Sequence, residues 1–247
     1  MKYVMKVADT SKSQSEKHYT FVLQNYSVLT VSFLRNNCWD VSKLLGKYIK
    51  EAIHELKKYV SGRDYLCTIT STDTNSLQVF YYIFHRERKK ITHRPYQLGA
   101  SLIIILDGIK LYEEYLTNGE YERPYTEGAG YISREFNGEI KEERFYDNGK
   151  LRNEKCYSYS LPFNKSFLIS DECFNGNKST LTQYSFNGQK MQLLTFENDE
   201  LHNPLDGAIV KFGISHRKKE TVVEKDYFLQ GRRYEKKEWK KERLKYL

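Results

Sequence analysis

Six histidines, at 18, 54, 85, 93, 202 and 216, and four cysteines, at 38, 67, 156 and 173, are the side chains of this sequence best suited to nucleophilic, acid–base or metal chemistry. Their spacing narrows what they can do. No two histidines stand at the HxH, HxxxH or HExxH separations that bring two imidazoles to one metal. His85 and His93 flank a basic stretch, and eight residues across a loop define no coordination geometry. The cysteines form no CxxC pair and read as free, small hydrophobes. Cys38, just before Trp39 and an expected helix start, is where a helix N-terminus could hold a thiolate, yet no histidine or acid can be assigned as its partner. His54 falls on the polar margin of that helix. The carboxylates of EIKEERFYDN (139–148) alternate, with Glu139, Lys141 and Glu143 on one strand face and Ile140, Glu142 and Arg144 on the other. Acid–base pairs need carboxylates in unlike environments, which a solvated strand does not supply. The glycines occur singly, so neither a P-loop nor a dinucleotide fingerprint is present. The expectation is no catalytic residue, no cofactor and no metal site; an enzyme reading would need a deep pocket lined by Cys38, His54 or His93.

Charge and aromatic content point to binding. The net charge is +8, and residues 232–247 hold eight basic against three acidic residues. This C-terminal cluster supplies Arg232, Arg233, Lys236, Lys237, Lys240 and Lys241 as candidate contacts. A second cluster, HRERKKITHR (85–94), supplies Arg86, Arg88, Lys89, Lys90 and Arg94. Such clusters attract phosphate or acidic surfaces. Their interspersed glutamates equally suit a solvated face with i,i+4 pairing. Tyrosine is abundant, 21 residues, and eight of these lie between 112 and 159. Tyrosine offers large contact area at low entropic cost. Half of the eight are expected in a sheet ladder. Tyr121, Tyr125 and Tyr131, set among Arg and Glu, are the candidate binding face.

These side chains must be positioned by elements with two different grammars. Before residue 107 the chain reads as α+β. Strands are expected at 2–7, 18–24, 27–34, 65–70 and 76–85; QLGASLIIILDG (97–108) reads as a buried strand or a short helix, its flanking glycines and Ile-Ile-Ile core favouring the strand. Between Asp40 and Gly62 the apolar residues Val41, Leu44, Leu45, Tyr48, Ile49, Ala52, Ile53, Leu56 and Val60 recur at helical spacing. Asp40 or Ser42 can cap the start, and Gly62 the end. No apolar run approaches the eighteen residues that a membrane-spanning helix needs. The N-terminus has no apolar core of signal-peptide length. The expected location is cytoplasmic, in a bacterial or host cell, or virion-associated.

From residue 108 the chain is punctuated by five Asn-Gly dipeptides, at 118–119, 137–138, 148–149, 175–176 and 187–188. Asn and Gly tolerate the two positive φ angles of a type I′ turn, so each reads as a hairpin. An aromatic precedes most turns (Tyr115, Phe136, Tyr146, Phe174, Phe186), and these are expected to stack on one face. Longer segments match as well: residues 113–157 lie over 195–239, sharing a Pro, then Glu127-Gly128-Ala129 against Asp206-Gly207-Ala208, then a second aromatic-led turn.

LHNPLDGAIVKFG followed by YFLQGRRYEKKEW resembles the degenerate MORN-like repeats of YwqK-type antitoxins, found also in proteins of giant DNA viruses. The resemblance covers the C-terminal 130 residues. It departs from the family pattern in lacking a Pro between Gly207 and Ala208 and in having Asn203 where Arg often follows the His; His202 is present in one copy. It implies stacked β-hairpins that act as a binding surface, with no catalytic residues to carry over. The expected architecture is therefore an α+β domain (1–107) followed by a β-hairpin repeat domain (108–247). The expected role is non-enzymatic binding of another protein, as an antitoxin, immunity or viral accessory protein. The alternative is nucleic-acid binding through residues 86–94 and 232–245.

Overall fold

The computed structural model describes residues 17–22, 28–33, 42–58, 65–71, 76–84, 89–214 and 220–247. The strand expected at 2–7, the helix caps Asp40 and Gly62, Cys38, His85, His216, Arg86 and Arg88 lie outside them. The fold is α+β, with one long helix near the N-terminus and extensive antiparallel sheet. It divides into two units: residues 1–138 with 146–150, and residues 139–145 with 151–247.

In unit 1, β1 (Lys17–Val22) and β2 (Val28–Phe33) form an antiparallel pair. Helix α1 (Ser42–Lys58) then crosses to β3 (Tyr65–Ser71), which runs parallel to β2. Parallel neighbours need such a crossover, since no tight turn can join them. β4 (Ser76–Phe84) returns antiparallel to β3 and pairs with β5 (Lys90–Thr92) and β6 (Leu102–Leu106). β7 (Ile109–Glu114) adds to β6; β8 (Leu116–Thr117) and β9 (Glu120–Tyr121) make a small hairpin; β10 (Tyr131–Arg134) returns to β7.

Burial in this unit follows the two periods read from sequence. Tyr65, Cys67 and Ile69 on β3, Leu77, Val79, Tyr81 and Ile83 on β4, and Ile103 and Ile105 on β6 share one sheet face. Leu45, Tyr48, Ala52 and Leu56 of α1 complete the same core. Burying a large aliphatic or aromatic side chain contributes roughly 1.5–3 kcal/mol, so this face carries most of the unit's stability. Residues 97–101, expected within a strand, instead belong to a loop: a 3₁₀ turn at Tyr96–Leu98 precedes β6.

The meander of unit 2 is built from β11 (Ile140–Asp147) and β12 (Lys150–Ser160), apart from their residues 146–150, which fall in unit 1, and from β13 (Lys165–Asn175), β14 (Lys178–Tyr184) and β15 (Lys190–Glu197). It continues through β16 (Glu200–Leu201), β17 (Ile209–Ile214), β18 (Glu220–Leu229) and β19 (Arg232–Tyr234). The ladders from β12 to β15, and onward through β17 to β19, are all antiparallel. Among the described residues of this unit the buried apolar side chains are Ala208, Val210, Leu229 and Trp239. Most strand positions are half-exposed on both faces. Cross-strand rows such as Leu181–Leu194–Ile209 and Thr182–Leu193–Val210 therefore take the place of a thick core. The basic segment after 234 folds into a short helix, α2 (Lys236–Glu242), which the sequence reading did not anticipate.

The turns revise the hairpin chemistry. Asn118-Gly119 and Asn148-Gly149 have φ positive at both residues, the type I′ signature. Asp107-Gly108, Asn198-Asp199 and Gln230-Gly231 have it too, without an Asn-Gly pair. At Asn137-Gly138 and Asn187-Gly188 only the glycine is positive, as in wider loops closed by a left-handed glycine. Asn175 ends a strand opposite Lys178, so the turn is Gly176-Asn177, one residue later than expected. Nor do the preceding aromatics form one ladder. Tyr146 is buried and stacked, whereas Phe136 and Phe186 project from their turns into solvent.

Candidate interaction surface

A module recurs three times, at THRPYQLGAS (92–101), YERPYTEGAG (121–130) and LHNPLDGAIV (201–210). The second and third fall in the matching segments 113–157 and 195–239; the first lies outside the 130 residues that the family resemblance covers. Arg-Pro-Tyr recurs identically at 94–96 and 123–125, and that is the signal that could have found it.

In each of the first two copies a proline starts a one-turn 3₁₀ helix, Tyr96–Leu98 or Tyr125–Glu127, and a glycine ends it. Gly99 has φ 118° and Gly128 has φ 123°, in the left-handed half of the map. A Cβ at Gly99 would lie 3.1 Å from Arg94 Nη1, and one at Gly128 would lie 2.7 Å from Arg123 Nη2. The glycine is thus required twice, for its φ and for the guanidinium packed upon it. Arg94 Nη1 donates to Ala100 O (2.9 Å) and Arg123 Nη1 donates to Ala129 O (3.0 Å), so each arginine staples its loop shut. Each guanidinium also covers a tyrosine ring, Arg94 over Tyr81 at 4.1 Å and Arg123 over Tyr115 at 4.3 Å. Those tyrosines close the loops through backbone bonds, from Tyr81 N–H to Ser101 O and from Tyr115 N–H to Gly130 O.

In the third copy Thr195 N–H closes the loop by donating to Ala208 O, one residue earlier relative to the Gly-Ala pair than in the first two copies. Here Asn203 replaces the arginine, and Thr195 replaces the tyrosine beneath it. Asn203 Oδ1 accepts from the N–H groups of Leu205 and Asp206, both at 3.0 Å. A short side chain holds a loop one residue shorter, and the ring that an arginine would cover is absent.

The histidines of the first and third copies are structural. Asn118 N–H donates to His93 Nδ1, and Gln230 N–H donates to His202 Nδ1, each at 3.0 Å. Each residue is the first of a type I′ turn, whose glycine N–H donates to Thr92 O or Leu201 O. The histidine therefore docks the following hairpin onto its own module. Both rings also meet a tyrosine edge-on, Tyr65 for His93 and Tyr246 for His202. His202 Nε2 faces Glu197 Oε2 at 3.2 Å, so both of its nitrogens are engaged. It lines a polar cleft of about 220 Å³ with Lys178, Glu197, Glu200, Gln230 and Tyr246.

Arg94 is not part of a basic surface. It is buried and ion-paired with Glu55 of α1, Nη2 to Oε2 at 3.0 Å and Nε to Oε1 at 3.2 Å, and Tyr65 Oη donates to the same carboxylate. Burial raises the Glu55 pKa, and Arg94 opposes that rise. Lys89 and Lys90 are exposed, and Lys90 Nζ stands 3.8 Å over the Tyr82 ring. Of the three candidate tyrosines, Tyr121 is half-buried, stacked on Tyr146 at 3.8 Å with its hydroxyl donating to Glu114. Tyr131 is half-buried and edge-on to Tyr112. Tyr125 is exposed, and so are Leu98 and Leu205 at nearby positions of the other two loops. In unit 1 the first two loops touch, with Tyr96 Oη donating to Glu127 Oε1 at 3.4 Å.

The C-terminal cations divide similarly. Trp239 turns inward, stacks beside Tyr227 and donates from Nε1 to Asn203 O; Arg243 donates to Pro204 O and Leu205 O. These contacts anchor α2 to the third module. Lys236, Lys237, Lys240 and Lys241 are exposed on the helix, as is Arg232, while Arg233 pairs with Asp226 at 2.5 Å.

His54 is exposed on α1 and His93 holds a turn. Burial pushes the thiol pKa of Cys67 and Cys156 upward, away from the reactive thiolate. Among the described residues no group of three potential ligands is placed to hold a metal, and no helix is long and apolar enough to cross a membrane. Comparison with protein-family models, curated proteins and solved structures returns no match to this chain.

Proposed function

We propose that this chain is a non-enzymatic macromolecular-interaction protein that binds another protein through the proline loops of its β-hairpin repeats. The observation that carries this reading is the thrice-built module, which closes a proline loop with the side chain of Arg94, Arg123 or Asn203 and leaves Leu98, Tyr125 or Leu205 exposed. Rigid loops bearing outward apolar or aromatic residues lose little entropy on binding, which is what hot spots require. The MORN-like resemblance favours the same role, as an antitoxin, immunity or viral accessory protein, and the recurrence of the module in residues 92–101 extends the repeat beyond the segment that first suggested it.

The test is affinity capture of the full chain from its native source, alongside the Leu98→Ser/Tyr125→Ala double variant. A stoichiometric protein partner whose yield falls at least tenfold with the variant supports the reading. A partner held equally by both chains refutes it.

One observation favours nucleic acid as the alternative: the exposed lysines of α2, held on a helix that Trp239 and Arg243 anchor. Binding by this face would weaken steeply between low and moderate salt. A salt titration with a DNA oligonucleotide, comparing the wild type with Lys236→Ala/Lys240→Ala, decides it.

A further inference from the structure

The polar cleft of about 220 Å³ beside the third module lies where the three copies of the repeat diverge. The strand entering each module pairs with the strand before it. Two residues ahead of His93 that cross-strand pair is Ile83 with Ile91. The corresponding pair is Thr117 with Glu120 in the second copy and Glu197 with Glu200 in the third. The glycine of the hairpin that follows each module confirms the match. A Cβ there would meet Ile91 at Gly119, Glu120 at Gly149 and Glu200 at Gly231. Of the three copies, the third alone sets two carboxylates directly opposite each other, an arrangement that destabilises paired strands.

Both carboxylates line the cleft, and the charges around them do not balance. Lys178, opposite Glu197 on β14, is the basic residue of the lining, with Nζ 3.6 Å from Glu197 Oε1. Asn177 Nδ2 donates to the same oxygen at 3.4 Å. His202 Nδ1 accepts the Gln230 N–H, so its hydrogen sits on Nε2, which donates to Glu197 Oε2 at 3.2 Å. The imidazole is therefore neutral and presents no lone pair to a metal ion. Glu200 has neither a hydrogen-bond nor an ion-pair partner among the described residues. One lysine faces two glutamates, which leaves one negative charge uncompensated.

An aromatic wall completes the site. Tyr246 stands edge-on to His202 (centroids 5.1 Å, 76°), and its hydroxyl donates to Gln230 Oε1 at 3.1 Å. A ring beside carboxylates offers its π face to a cation. Within this chain the guanidinium groups of Arg94, Arg123 and Arg243 already lie over Tyr81, Tyr115 and Trp239. A guanidinium is planar, stacks on such rings and forks its N–H groups onto carboxylate oxygens, which a compact ammonium does less well.

We propose that this cleft binds one guanidinium group, whose N–H groups donate to Glu200 and Glu197 and whose plane lies against Tyr246. The group comes either from a free small molecule or from an arginine side chain of a partner protein. The site goes beyond the proline-loop reading and stands without it.

The test is titration of the nitrogen-15-labelled full chain with methylguanidinium at low salt, followed by amide chemical shifts, with methylammonium as the control for charge alone. Saturable shifts are expected in 197–204, at 230–231 and at Tyr246. Glu200→Gln should weaken binding roughly tenfold, and Tyr246→Leu roughly threefold. Glu200→Gln also removes the like-charge pair, so the free variant should melt no lower than the wild type, which separates a ligand-binding carboxylate from a structural one. A second titration uses an arginine flanked by glycines and blocked at both ends. Binding at least as tight as that of methylguanidinium assigns the group to a partner's side chain; weaker binding assigns it to a free small molecule. The proposal is overturned if methylguanidinium gives no saturable shifts, if the shifts fall elsewhere, or if methylammonium binds equally well. It is also overturned if Glu200→Gln keeps wild-type affinity or melts below the wild type.

Discussion

Arg94 and Arg123 perform the same local task in different surroundings. Both close a proline loop and both cover a tyrosine ring, but Arg94 also neutralises Glu55 inside unit 1. Removing one partner of a buried ion pair leaves a stranded charge, which typically costs about 3–5 kcal/mol. Arg94→Met should therefore destabilise the protein by that amount at neutral pH. The loss should shrink on acidification. Burial already holds the Glu55 pKa above its ordinary value, so the folded state binds the proton more tightly than the unfolded chain. A raised carboxyl pKa means that stability falls as pH rises through the folded value. Without Arg94 that slope should steepen, and urea unfolding at several pH values would measure it. An unchanged slope would show that Glu55 finds another counter-charge. Glu113 gives the opposite sign. Burial works to raise its pKa, but Lys110 at 3.0 Å and Arg134 at 2.7 Å outweigh burial and lower it. Its contribution is present above the ordinary carboxyl pKa and lost as pH falls through the folded value. Glu113→Gln should flatten that acid limb and cost about 3 kcal/mol at pH 7.

At the scale of elements, the turns make the sharpest predictions. Gly149 has φ 73°, and a β-branched residue there is strained whatever space surrounds it. Gly149→Val should cost about 1–3 kcal/mol in thermal or urea unfolding. Gly46 is the converse: it lies within α1, and a Cβ there meets nothing within 4 Å. Gly46→Ala should stabilise the protein by about 0.5–1 kcal/mol. These two glycines also illustrate what was legible. Helical spacing located α1, and Asn-Gly located most hairpins, because both signals are local. Turn type was less legible, since Gly176-Asn177 and Asn198-Asp199 depend on the register of the paired strands. The first module was hidden because its arginine is buried against a helix 39 residues earlier. In sequence that arginine reads as one more surface cation beside Lys89 and Lys90. The structural histidines were equally obscure, since each grips a turn 25 or 28 residues downstream.

On the scale of the whole molecule, the two units draw stability from different sources. Unit 1 buries large side chains on β3, β4 and β6 beneath α1, so opening any one of these strands exposes several apolar groups together. In unit 2 the strands β13, β14 and β15 are half-exposed on both faces, and each cross-strand pair adds only roughly 0.2–1 kcal/mol. Local opening there costs little beyond the backbone bonds of the strand that leaves. Hydrogen exchange reads this difference directly, because amide protection follows the free energy of the cheapest opening. Peptides covering 76–84 and 102–106 should exchange at the slowest rates in the chain. Peptides covering 165–184 should exchange at least a hundredfold faster. Protection around Ala208, Leu229 and Trp239 should fall between, because α2 and the third module bury a small local core. A partner that grips the proline loops of unit 1 should slow exchange first in 94–101 and 123–130 and leave 165–184 unchanged. Equal protection of β4 and β14 in the free protein would show that the thin sheet draws stability from something other than its cross-strand pairs.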